Sequence, residues 1–157
     1  LVRGAIFNVL GPLHLSPIRA LDLFAGSGSL GIEALSRGAT WTDFVERHPR
    51  QCSAIKENLL ATGFSDKAGV HCMAVAKGIS ALESDYDLVL MDPPYKLTQL
   101  DPVLDSIAGS NLLSERATVV VGHSKRLTLK PEYQSLCQVG HYRHGDSTFD
   151  VFEMRRS

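Results

Sequence analysis

Residues 19–35 read "RALDLFAGSGSLGIEAL": an apolar run, a loop with three spaced glycines, then a helical pattern. Nothing else in the chain restricts its fold as strongly. The run has the continuous hydrophobicity of a strand buried on both faces of a parallel sheet. Gly26-x-Gly28-x-x-Gly31 stands where strand gives way to helix. In such a loop the first glycine allows a tight turn. The second lets backbone approach a ligand, and the third lets helix lie close to strand. A strand–loop–helix opening of this kind starts a β-α-β unit, and β-α-β units build parallel sheets with right-handed crossovers.

The remaining pattern agrees. Arg3 to Leu10 reads as a short helix with Ile6, Val9 and Leu10 on one face, stopped by Gly11-Pro12. Strands are predicted at 19–24, 41–46, 69–73, 86–91 and 117–122. Helices are predicted at 29–36, 49–62, 78–83 and 100–107. Two last strands, 135–142 and 148–154, flank His144-Gly145-Asp146-Ser147, a hairpin signal. The expected fold is α/β: a Rossmann-like, doubly wound, seven-stranded, mostly parallel sheet with a C-terminal antiparallel hairpin. One domain is expected over residues 1–157, with an N-terminal arm missing because the chain opens on Leu1 rather than Met.

Composition narrows the chemistry. Of 157 residues, 44% are hydrophobic and 21% charged, and the net charge is −1, so no global basic field advertises a polyanion. Cys52, Cys72 and Cys137 are dispersed and odd in number, which offers neither a disulfide framework nor a C-x-x-C site. The six histidines show no metal spacing, so no metal is expected. No apolar run is long enough to span a membrane, and a cytoplasmic protein is expected.

Asp22, Glu46 and Asp92 all fall at predicted strand ends, the rim where such sheets bind ligands. Glu46, twenty positions beyond Gly26, can accept both hydroxyl hydrogens of a ribose. A carboxylate at Asp22 beside the loop disfavours a pyrophosphate and favours a cationic ligand. These residues favour S-adenosylmethionine, whose sulfonium and ammonium are positive, over a nicotinamide dinucleotide. Asp92-Pro-Pro-Tyr95 ends the fourth strand. As a turn it needs no further explanation. As a site, Asp92 and the Pro93 carbonyl can accept the two hydrogens of an exocyclic amine while Tyr95 stacks on a base. That grouping suits methylation of a nucleobase amine.

With these residues in place, the chain resembles the bacterial RsmD-type family of S-adenosylmethionine-dependent methyltransferases, which act on guanine N2 in 16S ribosomal RNA. "VRGAIFNVL" resembles that family's first helix, "LDLFAGSGSLGIEALSRGA" its cofactor loop, "FVE" its second strand, "MDPPY" its catalytic loop and "HGDSTFDVFEMRR" its closing hairpin. The resemblance implies cofactor contacts from Asp22, Phe24, Ala25, Gly26, Gly28, Glu46, Arg47 and Asp92, with Val75 near the adenine. It implies a target-amine site of Asp92, Pro93, Pro94 and Tyr95. Phe7 and Asn8 match a Phe-Asn pair expected at the site entrance, and Lys96, Lys125 and Arg143 are candidates for RNA contact. The implied partner is ribosomal RNA or the small-subunit particle, and a monomer is expected.

Three features depart from the family pattern. Val75 stands where an acid or amide is common, Gly122 stands where an acid is common, and the N-terminal arm is largely missing. Adenine-N6 or amide methylation, an NAD-dependent oxidoreductase and an inactive RNA-binding module are the rival readings. His123, just beyond the fifth strand, is read as solvent-facing or hydrogen-bonded rather than as a catalytic base. His71 and Cys72 are read as core or half-buried.

Overall fold

A computed structural model describes residues 3–82 and 85–155. Its elements run α1 (Arg3–Leu10), β1 (Arg19–Leu23), α2 (Ser29–Ser36), β2 (Trp41–Glu46), α3 (Pro49–Thr62), β3 (Ala68–Cys72) and α4 (Val75–Ala81). They continue with β4 (Tyr86–Met91), α5 (Asp101–Ala108), β5 (Leu113–Ser124), β6 (Glu132–Tyr133), β7 (Leu136–His144) and β8 (Ser147–Met154). One sheet has the order β3-β2-β1-β4-β5-β8-β7-β6. The first five strands pair in parallel, and β8 joins β5 antiparallel through the closing hairpin.

The sheet therefore has eight strands, not seven. The extra one, β6, is two residues long and pairs with β7 across Gln134, whose φ is +55°. A strand that short carries no alternating pattern to read. The strand order reverses between β1 and β4, which places the ligand rim at the carboxyl ends of those two strands.

Strand side chains alternate between two cores. Leu21, Leu23, Val45, Val89, Met91, Val119 and Val121 face Ile79 of α4 and Leu104 and Ile107 of α5. Ala20, Leu88, Leu90 and Val120 face Ile6 and Phe7 of α1 and Leu30 and Ala34 of α2. Phe44 meets Ile55 and Leu59 of α3 on that second face. In α1 the buried pair is Ile6 and Phe7, and the expected face member Val9 is 40% exposed. With only eight residues, this helix has its face chosen by the floor beneath it rather than by its own periodicity. The expected 78–83 helix begins earlier, at Val75, and Glu83 lies outside the described residues. Among the described residues no helix is long and apolar enough to cross a membrane.

Candidate active site

The glycine loop turns by alternating backbone hand. Phe24, Gly26 and Gly28 have φ of +58°, +59° and +90°. Phe24 is the notable member, because a bulky side chain seldom occupies that region and such strain clusters at functional sites. The Ala25 amide donates to the Val45 carbonyl at 3.1 Å, tying the loop to β2. Gly31 has the role its position suggests: a Cβ there would lie 2.4 Å from the Phe44 ring, so only glycine lets α2 sit this close to β2. Gly28 has a further reason to be glycine. A Cβ on it would point at Ile55 at 3.3 Å, so packing against α3 joins its positive φ as a reason for glycine.

Asp22 is 1% exposed and accepts a hydrogen bond from the Gly31 amide at 2.9 Å. That amide belongs to the first turn of α2, so a strand side chain caps the helix and meets its positive end. Burial nevertheless pushes the Asp22 carboxyl well above the usual range, and nearby Asp92 and Glu46 push it further. Glu46 is clamped through both oxygens: Oε1 accepts from the Gly26 amide at 2.8 Å and Oε2 from the His48 amide at 2.9 Å. Each oxygen keeps a second lone pair, in an orientation already set. Phe24 and Ala25 are half-buried and Arg47 is exposed beside this acid. Val75 is the first residue of α4, half-buried against the core, with an amide that has no intrahelical partner.

Asp92 and Pro93 follow β4 directly, and Tyr95 is 58% exposed. Burial raises the Asp92 carboxyl above its ordinary value. A Cβ on Gly122 would lie 2.9 Å from Asp92 Oδ1. The glycine near the end of β5 thus makes room for this carboxylate. Beside Asp92 opens a cleft of about 420 Å³, lined by Ile6, Asp92, Pro93, Pro94, Tyr95, Gly122, His123, Thr148 and Phe149 among others. A second groove of about 490 Å³ shares Pro93, Pro94, Tyr95 and His123 and reaches Arg126 and Leu127.

Two expected site residues, Phe7 and Asn8, line neither cavity. Phe7 is buried in the core beneath the Arg37 guanidinium, and Ile6 of the same helix lines the cleft instead. Asn8 is exposed but does not line either cavity. Lys96, Lys125 and Arg143 are exposed on the loops that follow β4 and β5 and on the hairpin. Lys125 sits 3.3 Å from Asp146, and Arg143 donates to the Gly145 carbonyl.

His123 is not solvent-facing: it is 3% exposed and lines both cavities. Burial lowers its basicity, but the neighbouring Asp150 carboxylate and the Ser124 carbonyl outweigh that and leave it raised. Its position immediately after Gly122 was the available sequence signal. Dispersed cysteines also meet in space: Cys52 Sγ lies 2.7 Å from Cys72 Sγ. Burial and the second thiol push the Cys52 thiol up to about 11.

Known proteins are similar to this chain. The family described as conserved hypothetical protein 95 matches residues 1–153. YlbH of Bacillus subtilis (strain 168), provisionally named an rRNA methyltransferase, is 32% identical over 157 residues, covering 98% of this chain and 85% of its own. Ribosomal RNA small subunit methyltransferase D of Escherichia coli (strain K12) is 30% identical over 123 residues, or 76% of this chain and 60% of its own length. A conserved hypothetical protein of Streptococcus pyogenes, of known structure, superposes with a TM-score of 0.92 at 36% identity, over 98% of this chain and 96% of that one. The chain belongs to the conserved hypothetical protein 95 family, the RsmD family of rRNA methyltransferases.

Proposed function

We propose that this protein transfers a methyl group from S-adenosylmethionine to the exocyclic N2 amine of a guanine in 16S ribosomal RNA. The observation that carries the reading is the meeting of two half-sites on one rim: a buried acidic loop at Asp22 and Glu46, and a cleft that opens at Asp92. The residues fit the cofactor. Asp22 is a buried carboxylate with no cation within ion-pair distance among the described residues, which suits a positively charged ligand. Glu46 is pre-oriented for ribose hydroxyls. When bound, the cofactor supplies an electrophilic methyl group on sulfur.

The chain's own residues do the rest. A guanine N2 is a poor nucleophile because its lone pair is delocalised into the ring. Asp92 and the Pro93 carbonyl accept its two hydrogens and so favour a pyramidal nitrogen. As positive charge develops on that nitrogen, Asp92 stabilises it, a gain concentrated in the transition state. The two prolines hold the acceptors in a stiff turn, which preserves the orientation on which much of the rate depends. Tyr95, largely exposed at the cleft mouth, stacks on a base swung out of its helix. Asp92 or solvent then takes the proton released by the amine. The single domain acts on ribosomal RNA free or within the subunit particle, with Lys96, Lys125 and Arg143 meeting phosphates.

The test is methyl transfer to unmethylated 16S RNA and to small subunits, followed by digestion to nucleosides. N2-methylguanosine is expected. N6-methyladenosine as the product would assign the site to adenine instead.

A further inference from the structure

Three strands bring two imidazoles and a carboxylate together behind His123, which lines the Asp92 cleft. His123 lies on β5, His141 on β7 and Asp150 on β8, and His141 and Asp150 are paired across the hairpin. Their donor atoms all lie within 4.8 Å of one another. Asp150 Oδ1 is 2.5 Å from His141 Nδ1 and 3.2 Å from His123 Nε2.

The outer atoms of these groups are already held. His123 Nδ1 lies 2.8 Å from the Ser124 carbonyl, which can only accept, so Nδ1 carries a proton. In the neutral ring Nε2 is then a bare lone pair. It is buried and makes no hydrogen bond of proper geometry, although it faces Asp150 Oδ1. Two lone pairs at that distance repel unless a cation lies between them. Gln138 Nε2 donates to Asp150 Oδ2 at 3.1 Å, which leaves Oδ1 turned to the imidazoles. Fixing a ligand histidine by a carbonyl on its other nitrogen is the usual outer support of a metal site. Thr148, paired with His123 and lining the same cleft, buries a hydroxyl that also has no partner among the described residues.

We propose that His123 Nε2, His141 Nδ1 and Asp150 Oδ1 bind a divalent transition-metal ion of the zinc class, with water as the fourth ligand. Imidazole and carboxylate hold such ions at about 2.0–2.2 Å, so ligand atoms stand roughly 3.3 Å apart in a tetrahedron. The His123–Asp150 separation of 3.2 Å already matches. His141 must withdraw, and its side chain is 59% exposed, which also makes its side the entry path. Two imidazoles select zinc-class ions over magnesium or calcium. The ion would tie β5, β7 and β8 together and fix the ring that walls both cavities. The site stands independently of the methyl-transfer reading.

The competing arrangement puts a proton, not a metal, between His123 and Asp150, and titration separates the two. Chelator-treated protein is titrated with Zn²⁺ against a chromophoric competitor, and with Co²⁺ by visible absorption. One ion per chain and the intense bands of four-coordinate cobalt are expected, with a thermal midpoint raised by Zn²⁺. His141→Ala should weaken Zn²⁺ binding at least tenfold and abolish the thermal shift. Cys72→Ser, which removes the exposed thiol of the other metal-capable pair, should change neither. Absence of binding, binding retained in His141→Ala, or binding lost in Cys72→Ser would each overturn the proposal.

Discussion

Two aspartates bracket β4 and live in opposite surroundings. Asp87, at its start, accepts from the Arg19 amide, the Ser114 hydroxyl and the Arg116 guanidinium. Burial raises its carboxyl, but those partners outweigh burial and hold it below its ordinary value. Asp92, at the end, makes no ion pair among the described residues, and burial raises it. The same contrast runs across the sheet. At the amino ends, Asp43 binds the Tyr86 hydroxyl and His71 and lies 3.9 Å from Arg19. At the carboxyl ends, Asp22 and Glu46 are met, among the described residues, only by backbone amides. One end of the strands therefore satisfies its charges internally, which serves stability. The other leaves acids uncompensated, which costs stability and prepares a site for a cation.

The largest expected effect comes from removing the acceptor at the rim. Asp92→Ala should lower kcat by about 10²–10³-fold, the scale of a lost transition-state hydrogen bond, while S-adenosylmethionine affinity stays within a few fold. An unchanged kcat would remove Asp92 from the mechanism. At the opposite end, Asp43→Ala should cost about 3 kcal/mol of stability, because it removes a buried carboxylate bound to the Tyr86 hydroxyl and to His71. Denaturant unfolding reads this directly, and the surviving folded fraction should keep its cofactor affinity. A stable variant with weakened cofactor binding would erase the division between the two ends.

Asp22→Asn sharpens the comparison. The amide oxygen can still accept from Gly31, so the free protein should be no less stable at neutral pH. Cofactor binding should weaken by about 1.5–3 kcal/mol, the worth of a charged hydrogen bond. Gly122→Ala should have a smaller effect, on the order of tenfold in kcat, by pressing Asp92 out of line. A kcat equal to the parent's would show that Asp92 has room to spare.

Much of this was legible from residues alone. The glycine loop announced its own geometry because Gly26, Gly28 and Gly31 answer local backbone and packing demands. The rim acids were found because strand ends can be read from where apolar runs stop. Phe7 was misplaced because a motif match says which residues occur, not which side of an eight-residue helix meets the sheet. The His123–His141–Asp150 cluster and the Cys52–Cys72 contact were invisible for one reason. Both depend on strand or helix register between segments far apart in the chain. Gly122 could be noted as a departure, but its purpose appears only once Asp92 is seen beside it.

The central claim is that the uncompensated acids at the carboxyl rim await a cationic methyl donor, and proton linkage tests it most directly. Asp22 holds its proton to higher pH in the folded protein than in the unfolded chain, which makes the free protein lose stability as pH rises through that window. A positively charged ligand favours the ionised form, so binding must release protons there and tighten as pH rises. Calorimetric titration with S-adenosylmethionine in buffers of different ionisation enthalpy reads that release. One cofactor per chain, net proton release that disappears in Asp22→Asn, and no heat with NAD are expected. Binding of NAD alone, or S-adenosylmethionine binding that takes up protons, would contradict it.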